Sequence, residues 1–135
     1  MSKYDMPMID TTDTIPGKIM SRINPGSNIL EFGCATGRMT QYMKEKLQCN
    51  VFIVEIDKAA FNVALQYADD GYCGDIEQFK WTKKLEEQKF DFIIFADVLE
   101  HLKNPEKVLE KAAELLTENG EIAFDPVTRK LFYNE

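Results

Sequence analysis

Ile29-Leu30-Glu31-Phe32-Gly33-Cys34-Ala35-Thr36-Gly37 is the stretch on which the fold of this chain turns. The apolar start reads as a β-strand over 28–32. Gly33, Ala35 and Gly37 make a loop of small residues against which a ligand can lie close to the backbone. Beyond Gly37 the apolar residues Met39, Tyr42, Met43 and Leu47 recur at helical spacing, predicting a helix over 37–47. Strand, small-residue loop and helix repeat along the chain. Val51 to Glu55 reads as a second strand, apolar until its acidic end, as expected of a parallel strand covered on both faces. Asp57 caps a following helix with Ala60, Phe61, Ala64, Leu65 and Ala68 inward. A short third strand spans 71–74, and Phe90 to Ala96, the most apolar run, is a fourth strand in the interior of the sheet. Asn104 and Pro105 open a last helix that Asn119-Gly120 closes, and Glu121 to Phe124 starts a fifth strand.

Upstream, Thr14 caps a helix carrying Ile15, Ile19, Met20 and Ile23, which Asn24-Pro25-Gly26 ends as a turn. The segment 76–89 holds one or two short helices, with Phe79, Trp81 and Leu85 touching the core. This alternation specifies an α/β fold with a mostly parallel sheet and right-handed crossovers; the expected arrangement is Rossmann-like and doubly wound, about five strands in the order 3-2-1-4-5 with helices on both faces. The expected organisation is a loose arm over 1–13, one domain over 14–125 and a tail over 126–135.

The chain has 135 residues, is 44% hydrophobic and carries a formal net charge of −7. Its acidity disfavours nucleic acid as a partner, and its lysines are interleaved with glutamates as on solvated helix faces. No apolar run approaches the roughly 20 residues that span a bilayer. Cys34, Cys49 and Cys73 are single and widely spaced, with neither a metal pattern nor a disulfide framework, which suits a reducing, cytoplasmic compartment.

In a sheet of this kind ligands bind beyond the carboxyl ends of the strands. Here those ends carry Gly33, Glu55, Asp75 and Asp97. A dinucleotide fingerprint, Gly-x-Gly-x-x-Gly, would need glycines where this chain has Ala35 and Arg38. The pattern Glu31-x-Gly33-x-x-x-Gly37 instead resembles the first motif of the class I S-adenosylmethionine-dependent methyltransferases, with Ala35 departing from the commoner glycine. Gly74-Asp75-Ile76 and the run Phe90 to Leu102, with Asp97-Val98-Leu99-Glu100-His101-Leu102, resemble later motifs of the same family. The resemblance covers about residues 27–125.

The resemblance implies S-adenosylmethionine as cofactor and S-adenosylhomocysteine as product. It implies a cofactor site formed by Glu31, Gly33, Cys34, Ala35, Gly37, Glu55, Ile56, Asp75, Ile76 and Asp97. Glu55, eighteen residues after Gly37, would accept bonds from the ribose hydroxyls. Ile56 would pack on adenine, and Asp75 would meet its amino group or else cap the next helix. Cys34 is a small filler. His101, the sole histidine, is either a general base toward a small-molecule acceptor or a structural residue. Asp97, Glu100 and His101 could also be read as part of a metal cluster, but no fourth ligand can be named, so no metal is expected. The main alternative is a non-catalytic binding or assembly domain that keeps the cofactor site.

The resembled domains usually continue past the fifth strand with a helix and two more strands, so the chain reads as C-terminally truncated. The expected consequences are a fifth strand left as a sheet edge and incomplete cover over Val108, Leu109, Leu115 and Leu116. Self-association as a two-fold dimer, through that edge or through Leu131-Phe132-Tyr133, is also expected.

Overall fold

A computed structural model of the chain describes residues 15–124. The expected arm, the Thr14 cap and the tail, with Leu131-Phe132-Tyr133, lie outside the described residues. Five parallel strands form one sheet in the order β3-β2-β1-β4-β5. They are β1 (Asn28–Phe32), β2 (Asn50–Glu55), β3 (Asp70–Cys73), β4 (Phe90–Phe95) and β5 (Leu116–Phe124). The helices are α1 (Ile15–Ser21), α2 (Arg38–Glu45), α3 (Lys58–Ala64), α4 (Lys80–Lys84) and α5 (Pro105–Ala113). Two 3₁₀ turns, Ile76–Gln78 and Leu99–His101, follow β3 and β4.

Alternation along the interior strands builds a core on each face of the sheet. Leu30, Phe32, Phe52, Val54, Ile93 and Phe95 pack with Trp81, Leu85, Val108 and Ala112 on one side. Ile29, Val51, Ile53, Phe92 and Ile94 pack with Met20, Ile23, Met43 and Ala64 on the other. The first core is centred on aromatics. Phe32 stacks on Phe95 with ring centroids 4.5 Å apart and meets the edge of Trp81 at 4.9 Å. The buried indole N–H donates to the Ile76 carbonyl at 2.8 Å, so Trp81 leaves no polar atom unpaired.

Three expectations need correction. Leu65 is exposed, because α3 ends at Ala64 and Leu65 has turned off the inner stripe. The last helix stops at Ala113, well before Asn119-Gly120. Leu115 accepts the Phe90 N–H at 2.7 Å, and Leu116 already pairs with Phe90. The ladder is irregular between Phe90 and Phe92, so Asn119-Gly120 lies inside a bulged stretch of β5, and regular pairing starts at Glu121. The face expected to lose its cover is covered: Val108 and Leu115 are buried, and Leu109 and Leu116 pack against the same core. As expected, β5 is a sheet edge among the described residues, pairing with β4 alone.

Candidate functional site

The site begins with the loop between β1 and α2. The Gly33 N–H donates to the Val54 carbonyl at 3.0 Å, and the Gly37 N–H donates to the Cys34 carbonyl at 2.8 Å. These bonds fold the loop over the carboxyl ends of β1 and β2. Gly33 and Gly37 have φ of +76° and +83°, which strains any L side chain. A Cβ on Gly33 would stand 2.2 Å from Val98 Cγ2 and 2.9 Å from the Ala96 carbonyl oxygen. On Gly37 it would stand 2.8 Å from Ala64 Cα. Both glycines are therefore required by the close approach of protein to protein, whatever the ligand does. Ala35, at φ 51°, accepts the same left-handed conformation without being glycine. So does Asp97, at φ 53°, where the chain leaves β4. Strained non-glycine residues of this kind tend to collect at functional sites.

Above this loop lies a cavity of about 480 Å³ at the carboxyl ends of β1, β2, β3 and β4. Of the residues singled out from the sequence, Gly33, Ala35, Glu55, Ile56, Asp75, Ile76, Asp97 and His101 all line it. Glu55 links its parts. One carboxylate oxygen accepts the Ala35 N–H at 3.3 Å, and the other accepts the Asp57 N–H at 2.9 Å. Asp57 caps α3 by accepting the Ala60 N–H at 3.0 Å. Asp75 caps the 3₁₀ turn after β3 by accepting the Glu77 N–H at 2.8 Å, the capping role weighed for it from sequence, while still facing the cavity. Ile56 is 64% exposed on the cavity wall, a large apolar side chain without cover. His101 is exposed on the 3₁₀ turn Leu99–His101.

Glu31, Cys34 and Gly37 do not line the cavity. Glu31 follows the strand alternation to the face of Ile29 and is fully buried there. The Thr40 hydroxyl donates to its Oε1 at 2.5 Å, and its Oε2 has no partner. Burial pushes its carboxyl up to about 7, opposed by the Thr40 bond and reinforced by the negative charge of Glu55. Cys34 turns into the same core, and burial together with Glu31 and Glu55 pushes its thiol well up. That makes it an inert filler rather than a nucleophile. Gly37 is buried against α3.

The sequence reading assigned no role to Glu77, Val98 or Leu102, which also line the cavity. Glu77 accepts the Lys103 N–H at 3.0 Å and the Asn104 N–H at 2.9 Å, tying the turn after β3 to the start of α5. No periodicity or motif marks it. Among the described residues no group of three or more His, Cys, Asp and Glu side chains is arranged to hold a metal ion. No helix among them is long and apolar enough to cross a membrane.

Comparison with known proteins agrees with this architecture. The (S)-tetrahydroprotoberberine N-methyltransferase of Eschscholzia californica is 27% identical over 120 residues, covering 83% of this chain and 33% of that protein. The ubiquinone biosynthesis O-methyltransferase of Pasteurella multocida is 27% identical over 118 residues, covering 78% of this chain and 48% of that protein. The chain thus spans between a third and a half of the length of these relatives. The crystal structure of coclaurine N-methyltransferase, bound to N-methylheliamine and SAH, superposes with a TM-score of 0.66 at 21% identity, over 78% of this chain and 32% of that one. Residues 7–134 match the family described as the methyltransferase domain, and the chain belongs to that family.

Proposed function

We propose that this chain is the cofactor-binding part of an S-adenosylmethionine-dependent methyltransferase acting on a small-molecule acceptor. The observation that supports this best is the convergence of Gly33, Glu55, Asp75 and Asp97, from four successive strand ends, on one cavity. The donor set suits the cofactor. Glu55 has lone pairs to spare for two ribose hydroxyls while the Ala35 and Asp57 N–H groups hold it in place. Ile56 offers an uncovered apolar face for adenine, and Asp75 an acceptor for its amino group. The loop over 33–37 would hold the amino-acid end.

When bound, S-adenosylmethionine supplies an electrophilic sulfonium methyl group. The work of the chain is then to orient that group toward an acceptor and to exclude water. His101, on the cavity rim, is the group we assign to accept a proton from the acceptor. The free thiols of Cys34, Cys49 and Cys73 suit a reducing, cytoplasmic setting. The edge of β5, which among the described residues pairs with β4 alone, supports pairing of two copies in solution, which light scattering across concentration tests.

Calorimetric titration with S-adenosylhomocysteine and, in parallel, with a nicotinamide dinucleotide tests the cofactor assignment. Binding of the first alone is expected; preference for the dinucleotide would overturn it. A metabolite screen with methyl transfer as readout then identifies the acceptor.

A further inference from the structure

His101 is exposed on a turn of three residues, so its position depends on what anchors the chain on either side. Upstream, Leu99 is fully buried in the aromatic core. Within the turn, the His101 N–H donates to the Val98 carbonyl at 3.0 Å and the Leu102 N–H to the Leu99 carbonyl at 3.2 Å. Downstream, the chain is extended at Leu102, and the Lys103 and Asn104 N–H groups precede α5, outside any helix or strand. Both donate to one side chain from elsewhere in the chain. The Lys103 N–H meets the two Glu77 oxygens at 3.1 and 3.0 Å, and the Asn104 N–H donates to Oε2 at 2.9 Å.

Glu77 comes from the far side of the cavity. It follows β3, which β2 and β1 separate from β4, so the two strand ends lie about 14 Å apart across the sheet. Its own turn is held firmly. The Glu77 N–H donates to the Asp75 carboxylate at 2.8 Å, and the Trp81 indole holds the Ile76 carbonyl from the core side. Phe79 ends the turn, and the Lys107 ammonium of α5 lies 5.6 Å from its ring centroid, a second tie between the same two segments. A carboxylate suits the place better than an amide. It offers acceptors to both N–H groups at the start of α5, where negative charge is favoured. One line of bonds thus runs from Asp75, on the cavity wall, through Glu77 to the segment just after His101.

We propose that Glu77 is the positioning residue for His101: through it, a ligand held at Asp75 fixes the turn that carries the imidazole. The proposal rests on the cofactor reading above and on the proton-accepting role assigned there to His101. Glu77 touches neither reacting group; it joins the end of the cavity that reads the base to the rim that faces the acceptor.

The probe is S-adenosylhomocysteine, and His101, as the sole histidine, gives an imidazole signal that NMR reads without overlap from another. In the wild type that signal should move as the ligand saturates. The Lys103 and Asn104 amides should exchange about tenfold or more slower than an open loop before any ligand is added. In Glu77→Ala these amides should exchange about tenfold faster, and most of the imidazole shift at saturating ligand should be lost. Glu77→Gln keeps one acceptor oxygen and should restore the protection of one amide and part of the shift. A residue that only stabilised the fold would lower the melting temperature and leave the shift at saturation unchanged. If Glu77→Ala does not fold, Glu77→Gln and the wild-type amides decide. An imidazole signal that stays still in the saturated wild type, an equal shift in both variants, or free exchange of the two amides in the wild type overturns the proposal and leaves the cofactor reading intact. Absence of binding by the wild type overturns that reading, and the proposal with it.

Discussion

The two ends of the sheet are both rich in acids, and they handle them differently. At the amino ends of the strands the acids serve the fold. Asp69 accepts the Val51 N–H at 2.8 Å and pairs with Lys44 at 2.6 Å. Asp91 accepts the Asn28 N–H at 2.8 Å. Asp69 and Asp70 line a hollow of about 290 Å³ at this end, and Lys89 lies on its wall. At the carboxyl ends, acids surround the larger cavity of about 480 Å³, and no lysine or arginine of the described residues lines it. Glu55 and Asp75 accept backbone N–H groups there, and Glu55 also accepts the Cys34 thiol at 3.9 Å. The backbone takes left-handed turns at both ends, at Gly33, Ala35 and Asp97 beside that cavity and at Gly26 and Gln48 before β1 and β2. At the amino ends the acids tie neighbouring segments of the chain together; at the carboxyl ends Glu55 and Asp75 are held by backbone N–H groups and still face an open cavity.

The largest effect should come from Gly33→Val. A side chain there collides with Val98 and the Ala96 carbonyl in a left-handed backbone. The expected loss is about 3 kcal/mol or more of stability, read by thermal melting, rather than a folded protein that merely binds poorly. A normal melt would show that the loop does not need its glycine.

The contrast between the two ends is sharpened by a matched pair of variants. Glu55→Ala should keep the fold and reduce S-adenosylhomocysteine affinity about tenfold or more, the effect of losing charge-assisted bonds. Asp91→Ala should do the reverse, costing about 1–2 kcal/mol of stability by freeing the Asn28 N–H while leaving affinity within about twofold. Equal effects of the two on binding would break the distinction.

Glu31 makes stability depend on pH. Its carboxyl titrates near 7 in the fold, raised from 4.5, so between those values the folded chain holds more proton than the unfolded one. Its favourable contribution is complete below about 4.5 and disappears as pH rises through about 7. The melting temperature of the wild type should therefore fall by several degrees relative to Glu31→Gln between pH 5 and pH 8. A constant gap would place the ionised form at ease in the core.

The smallest effect is expected of Ala35→Gly. Relief of a left-handed alanine, about 1–2 kcal/mol, is largely offset by the flexibility glycine adds to the unfolded chain. The net gain should be below about 1 kcal/mol, seen as a small rise in melting temperature.

Local chemistry explains why so much of the fold was legible. The interior strands are long apolar runs and were located to within a residue, and the Asp57 and Asn104 caps act as their residue types require. The end of α5 was not legible, because the Asn119-Gly120 turn signal is overridden by pairing of Leu116 with Phe90, a contact from elsewhere in the chain. The acids at the strand ends were found because strand, carboxylate and loop are contiguous in sequence. Glu31 shows the limit: its motif position suggested a cavity residue, and strand alternation turned it into the core. Thr40 and Glu77 bear no local mark, since each matters through a partner nine or more positions away.

Hydrogen–deuterium exchange of the 135-residue chain with and without S-adenosylhomocysteine tests the division between the two ends most directly. The predicted result is new protection confined to the segments 33–37, 55–58, 75–79 and 96–102, with none at 26–28, 48–50 or 88–91. Protection at the amino ends of the strands, or no change anywhere at saturating ligand, would contradict it.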